Sequence, residues 1–239
     1  MTKFENLFGI KQTEIKETCV ILPLLAKGML NALGIKKLHR GKLYSSGQGQ
    51  GFTAIVTGLG AGLAGDAVLY MKETTGLNII LFGSCGLVEA KNGLTIGCLV
   101  SPVLSYSLES FSDMLLDKEK DWKEFSSNKD LTEKFVDASG ENNIKKVKCA
   151  TLGSLKLEED RFDFFSEKDI AVVDMECSSV FSAAGYMKKK AMALFYATDI
   201  INKKPFYAEP DIEDKARISF SMKRAAHAIC EFIKNSLTS

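Results

Sequence analysis

Two acids stand inside an otherwise apolar, small-residue run, Ala171-Val-Val-Asp-Met-Glu-Cys-Ser-Ser-Val-Phe-Ser-Ala-Ala184: Asp174 and Glu176. Carboxylates are rarely buried unless something pairs with them. Another acid closes the next apolar run, Ala191-Met-Ala-Leu-Phe-Tyr-Ala-Thr-Asp199. Acids at the ends of two strand-like runs point to a pocket for a polar small molecule. Glu176 lies near the start of a helix, where the helix dipole favours negative charge, so it is expected to be ionised. An ionised carboxylate accepts two hydrogen bonds, as a diol requires. Asp174 is accounted for more comfortably as an acid capping that helix. Asp199 follows apolar sequence, and desolvation raises a carboxyl pKa and keeps its proton on. That suits a general acid; the alternative is an N-cap on the following turn.

Glycines sit where such acids would need company. The segment Gly58-Leu-Gly-Ala-Gly-Leu-Ala-Gly65 follows a strand-like run and opens a helix, the setting of a dinucleotide fingerprint. The fingerprint also needs an acid about 20 residues on, at the end of the next strand. That strand ends Leu81-Phe-Gly-Ser-Cys-Gly86, without one. A tight turn with close backbone packing is the better reading, and no cofactor is expected. Gly83-Ser-Cys-Gly86 reads as a second glycine turn at a strand end. Its N–H groups and the Ser84 hydroxyl suit a sugar or an anion; the alternative is a plain turn.

The elements that must hold these residues alternate. Strands are expected at 18–23, 52–57, 77–82, 97–104, 146–152, 170–173 and 191–197, with an edge strand at 42–46. Helices are expected at 26–33, 65–73, 118–143, 177–188 and 212–237, the third with Phe125, Leu131 and Phe135 as its inner face. This order predicts an α/β layer fold around a largely parallel sheet. No linker or repeat divides the chain, and 239 residues suit one sizeable core.

Composition narrows the partners. Hydrophobic residues make up 46% of the chain and the formal charge is +1, which argues against nucleic acid or a membrane surface as the main partner. No apolar run approaches the ~20 residues of a membrane helix, and the start lacks a signal-peptide pattern. Six scattered cysteines without C-x-x-C pairs read as reduced core thiols of a cytoplasmic protein. The only histidines, His39 and His227, have no metal-like company, so neither a zinc site nor a histidine-dependent triad is expected. The arginines are Arg40, Arg161, Arg217 and Arg224, so any anion clamp must use these, lysines or backbone N–H groups.

Taken in order, Val20-Ile-Leu-Pro23, Gly58-Leu-Gly60, Gly83-Ser-Cys-Gly86, Val173-Asp-Met-Glu176 and Ala197-Thr-Asp199 resemble the nucleoside phosphorylase and nucleosidase superfamily. The Asp-Met-Glu and Thr-Asp pieces are the specific ones. The resemblance implies one three-layer α/β domain over 1–239, with a twisted mixed central sheet flanked by helices, assembled as a homo-oligomer, dimer or hexamer. It implies a purine nucleoside substrate, with phosphate as a further possible partner. It implies that Met175 lies against ribose, Glu176 binds its hydroxyls, Asp199 protonates N7 of the base, and Ser84 and Gly83 line the sugar or nucleophile side.

The chain also departs from that family. Phosphorolytic members carry Gly-Asp-Pro-x-Arg after the first strand, where this chain has Leu24-Leu-Ala-Lys-Gly28, and an arginine where it has Leu81. Losing two guanidiniums removes most of a phosphate clamp. Hydrolytic members carry apolar residues there, as Leu81 is, but also a water-activating glutamate after the first strand, which is absent. No aromatic stands near 153–157 to stack on the base; Leu155, Phe162 and Tyr106 are the candidates for base or lid contacts. The leading expectation is hydrolysis of a purine nucleoside. The alternatives are a phosphorylase whose site is rebuilt from Lys27, Arg40 or a neighbouring subunit, and a non-catalytic nucleoside binder. The loop 201–211, with Pro205, Phe206, Tyr207 and Pro210, is placed to close over the pocket.

Overall fold

The computed structural model describes residues 1–116 and 122–237. The first half contains α1 (Lys3–Phe8), β1 (Thr18–Leu22), α2 (Met29–Ala32), β2 (Leu38–Arg40), β3 (Ser45–Gln48), β4 (Phe52–Val56), α3 (Ala61–Leu69), β5 (Asn78–Leu87), β6 (Leu99–Leu108) and α4 (Phe111–Leu116). There follow β7 (Lys123–Ser126), α5 (Lys129–Ala138), β8 (Lys145–Leu152), α6 (Phe162–Glu167), β9 (Val172–Asp174), α7 (Cys177–Tyr186), β10 (Lys190–Ile200) and α8 (Ile212–Phe232).

The central strands are apolar on both faces because helices cover both. Cys19 and Ile21 of β1, Ile79 and Leu81 of β5, and Ala193 and Phe195 of β10 point into one core, with buried side chains of α3 and α7. Val20 and Leu22, Ile80 and Phe82, and Met192 and Leu194 point into the other, with those of α2, α5 and α8. The period-two alternation of a strand thus divides each run between two layers. A third cluster gathers Tyr106, Met114, Phe165 and Val173.

The sheet is mixed rather than largely parallel. Strand β5 runs parallel to β1 and β10, and β1 parallel to β4. The pairs β10–β6 and β5–β9 are antiparallel, while β6–β8 and β8–β9 are parallel. These pairings close β5, β10, β6, β8 and β9 into a ring, and β1, β4, β3 and β2 extend from it as a wing. Closure hides strand edges that would otherwise be left unpaired.

Several sequence expectations are corrected. Gly83-Ser-Cys-Gly86 is not a terminal turn: it lies within β5, which stays paired to β10 from Asn78 to Leu87. Over the same stretch β5 exchanges its other neighbour, from β1 at residues 78–81 to β9 at 86–87. Glycine inside a strand is suited to such a bend. The helix expected at 118–143 is β7, paired to β6, followed by α5, whose first turn is capped by Asn128 accepting from the Leu131 N–H at 2.9 Å. Of that expectation, 118–121 lie outside the described residues. The edge strand expected at 42–46 is β3, and the true edge is β2, which the sequence reading missed. No described helix is long and apolar enough to cross a membrane.

Candidate active site

The turn from β9 into α7 positions Glu176, and Asp174 holds that turn. One Asp174 oxygen accepts from the N–H groups of Glu176 at 2.9 Å and Cys177 at 2.6 Å. The other accepts from the Thr151 hydroxyl at 2.6 Å and the Cys149 thiol at 3.4 Å. Asp174 is therefore the acid that satisfies the orphan donors ahead of α7. The Glu176 carboxylate is left to point elsewhere, and its Oε1 accepts from the Gly60 N–H at 2.6 Å. Gly60 has φ of 110°, a conformation costly for any residue with a Cβ. The glycine-rich turn before α3 thus aims a backbone donor at a carboxylate. Farther along α3, a Cβ on Gly65 would come within 3.2 Å of the Ser179 Cβ, which is the close packing expected of that segment.

Asp199 lies near the end of β10, at a register shift after Ala197. Its Oδ1 accepts from the Thr198 hydroxyl at 2.7 Å. Its Oδ2 occupies space beside Gly86, where a Cβ would sit only 2.8 Å away. Gly86 is therefore the gap that admits the acid. Gly86→Ala is expected to cost about 1–3 kcal/mol of stability by overpacking against Asp199. A thermal melt of the variant checks this, and an unchanged midpoint would show that the acid tolerates the shift.

Asp199 and Glu176 line one cleft, together with Met175, Ser84, Gly83 and Leu155. The cleft has a volume of about 100 Å³ and shares Thr198, Asp199 and Phe206 with a second cavity of about 380 Å³. Phe206 comes from the loop between β10 and α8, the segment expected to cover the pocket, and remains 59% exposed. Two expected contacts are elsewhere. Tyr106 is buried against Phe164, ring centroids 5.7 Å apart at 88°, and Phe162 packs on the same apolar cluster. Neither lines the cleft.

The electrostatics differ from the sequence expectation for Glu176. Glu176 is 5% exposed, Asp174 6% and Asp199 8%. Burial, and then the neighbouring Asp174 charge, push the Glu176 carboxyl upward, while the Gly60 N–H works against that rise. Glu176 therefore holds its proton more tightly than a helix N-terminus alone would allow, because Asp174 occupies that position. Burial also pushes Asp174 up, opposed by its hydrogen-bond donors. Asp199 is raised by burial, as expected, with the Thr198 hydroxyl opposing.

The sequence reading missed Glu158. It is 7% exposed and lines the same cleft. Burial first, then the charges of Asp199 and Glu159, push its carboxyl up to about 7. It opens Glu158-Glu159-Asp160-Arg161, a charge run that reads as solvated surface.

A sequence profile of the phosphorylase superfamily matches residues 23–237. The chain belongs to that superfamily. No curated protein is significantly similar to it in sequence. Among solved structures, the chain is similar to a 5′-methylthioadenosine/S-adenosyl homocysteine nucleosidase from Campylobacter jejuni, with a TM-score of 0.70 and 15% identity over 90% of this chain and 97% of that one. It is also similar to a mutant futalosine hydrolase from Helicobacter pylori, with a TM-score of 0.69 and 13% identity over 92% and 99% of the two chains. At these identities the likeness establishes the superfamily's fold: an α/β arrangement with a mixed central sheet flanked by helices.

Proposed function

We propose that this protein hydrolyses the N-ribosidic bond of a purine nucleoside. The observation that carries the reading is a single cleft lined by Asp199 and Glu176 with no lysine or arginine among its described lining residues. Breaking an N-ribosidic bond builds positive charge on the sugar and negative charge on the departing base. Asp199, whose carboxyl burial pushes up, supplies the proton that the base takes up. Glu176 lies beside the ribose hydroxyls, with Met175 against the sugar, and faces the growing positive charge. As that charge develops, the ionised form of Glu176 becomes the favoured one.

Phosphorolysis would need cations around a phosphate. Lys27 lines a separate depression with Lys223, and Arg40 lies on the outermost strand β2. Neither lines the cleft, which favours hydrolysis over a phosphate site built from these two; the lysines nearest it, Lys203 and Lys204, line the adjoining cavity. The fold neighbours named as a nucleosidase and a hydrolase support the hydrolytic reading. Water attacks a strongly cationic ribosyl group with little help from a base, which compensates for the missing glutamate after β1.

The test is to incubate the protein with adenosine, inosine and methylthioadenosine, with and without phosphate, and to follow free base. The expected result is release at the same rate in both conditions. Strict dependence on phosphate would replace hydrolysis by phosphorolysis. Binding without release would leave a nucleoside-binding protein.

A further inference from the structure

Asp174 does not hold the turn from β9 into α7 alone. Parallel pairing of β8 with β9 sets Thr151 opposite Asp174. The Thr151 side chain is fully buried. A hydroxyl has one proton to give and two lone pairs to fill, and here all three are used. The proton goes to the Asp174 carboxylate at 2.6 Å. The oxygen accepts from the Ser178 N–H at 2.8 Å and from the Ser105 hydroxyl of β6 at 3.0 Å. Asp174 takes the N–H groups of Glu176 and Cys177, so two side chains satisfy three successive donors at the start of α7. Asp174 is the last residue of β9, and the chain leaves the sheet directly after it. Its carboxylate holds Glu176 in one place only if the carboxylate is itself held. Thr151 is flanked by β6 on one side and β9 on the other, so the sheet fixes it. The other side chain donating to Asp174 is the Cys149 thiol at 3.4 Å, a weak donor.

We propose that Thr151 is a positioning residue of this site: by fixing the Asp174 carboxylate and the Ser178 N–H, its hydroxyl sets where the Glu176 carboxylate stands. Thr151 does not line the cleft, so it acts through Glu176 and not on a ligand. The kinetic consequence rests on the nucleoside reading above; the placement of Glu176 does not. Without the hydroxyl, the Ser178 N–H and one Asp174 oxygen lose their partner in a buried place, and the turn rearranges to recover donors and acceptors. The contact between Glu176 Oε1 and the Gly60 N–H is the one that such a rearrangement breaks.

The experiment uses the full chain and two variants. Thr151→Val keeps the shape and removes the hydroxyl, whereas Thr151→Ser keeps the hydroxyl. Adenosine, inosine and methylthioadenosine are the probes, at a temperature below the melting midpoint of every variant. Thr151→Val is expected to lower kcat by about 10–100-fold, because a misplacement of ~1 Å at a reacting centre costs that order. Thr151→Ser is expected to keep the rate. In a Glu176→Gln background most of the fall caused by Thr151→Val is expected to vanish, since both changes act on one interaction. A general loosening of the fold lowers the rate by the same factor in both backgrounds. That result, no fall at all, or a fall shared by Thr151→Ser overturns the proposal. If the unaltered protein releases no base, hydrolysis fails separately, and crystal structures of the unaltered chain and of Thr151→Val decide. Glu176 Oε1 parted from the Gly60 N–H in the variant supports Thr151, and an unmoved Glu176 overturns it. Should Thr151→Val not fold, Thr151→Ala takes its place in each comparison.

Discussion

Asp199→Asn is expected to cut nucleoside hydrolysis by about 10²–10⁴-fold, the usual contribution of a positioned general acid. The amide fills the same space beside Gly86 and still accepts from the Thr198 hydroxyl, so folding and nucleoside binding are retained. The loss depends on the leaving group. A purine departs poorly without a proton, whereas p-nitrophenolate departs without one. On p-nitrophenyl riboside the variant is therefore expected to keep most of the rate of the unaltered protein. The pH profile gives a second reading. Burial raises the Asp199 pKa, so its proton is lost only above the ordinary carboxylate range, and kcat declines with pH as that happens. The decline vanishes in the asparagine variant. Equal losses on both substrates would mean that residue 199 shapes the cleft and donates no proton.

The parts of this site that were legible in the sequence share one property: each is an acid or a glycine set against apolar sequence. Asp174, Glu176 and Asp199 stood out because a strand core does not tolerate a charge without purpose. The split between Asp174 as the capping acid and Glu176 as the free one was also readable from their distances to the helix start. The consequence for charge was not. Sequence gave Glu176 the helix dipole, but in the folded chain Asp174 takes the donors and its charge helps hold the Glu176 proton in place.

Glu158 was invisible for the opposite reason. Its neighbours Glu159, Asp160 and Arg161 are charged, and only the tertiary fold turns one member of that run inward. Tyr106 was misplaced because its strand was read too short. Strand β6 continues to Leu108, and Tyr106 pairs across to Ala150 with its ring in the apolar cluster around Phe164. The ring of β5, β10, β6, β8 and β9 depends on contacts between distant segments, which local patterns do not encode. It also explains Gly83 and Gly86, whose local signal is a turn but whose place is the bend where β5 passes from one neighbour to another. Residues 123–126 alternate too briefly within a charged stretch to outweigh a helical reading, and their strand exists because β6 offers an edge.

Glu176→Gln carries the other large expected effect, a fall of about 10²–10³-fold in kcat, comparable to removing one preorganised electrostatic contact from a developing charge. Glutamine keeps the length and still accepts from the Gly60 N–H, so the turn from β9 into α7 is preserved. It cannot supply negative charge to a cationic ribosyl group. The sign of the pH effect follows from the raised carboxyl. Below its folded pKa Glu176 is neutral in the free protein, and the working form requires that proton to leave. Thus kcat/KM climbs with pH as Glu176 ionises and falls as Asp199 deprotonates. In Glu176→Gln only the fall remains. Nucleoside binding to the unaltered protein is also expected to release a proton, because ribose hydroxyls donating to the carboxylate favour its charged form. Calorimetry in buffers of different ionisation enthalpy reads that proton directly. A variant that retains the rising limb would assign it to a group other than Glu176, and the electrostatic role would pass to that group.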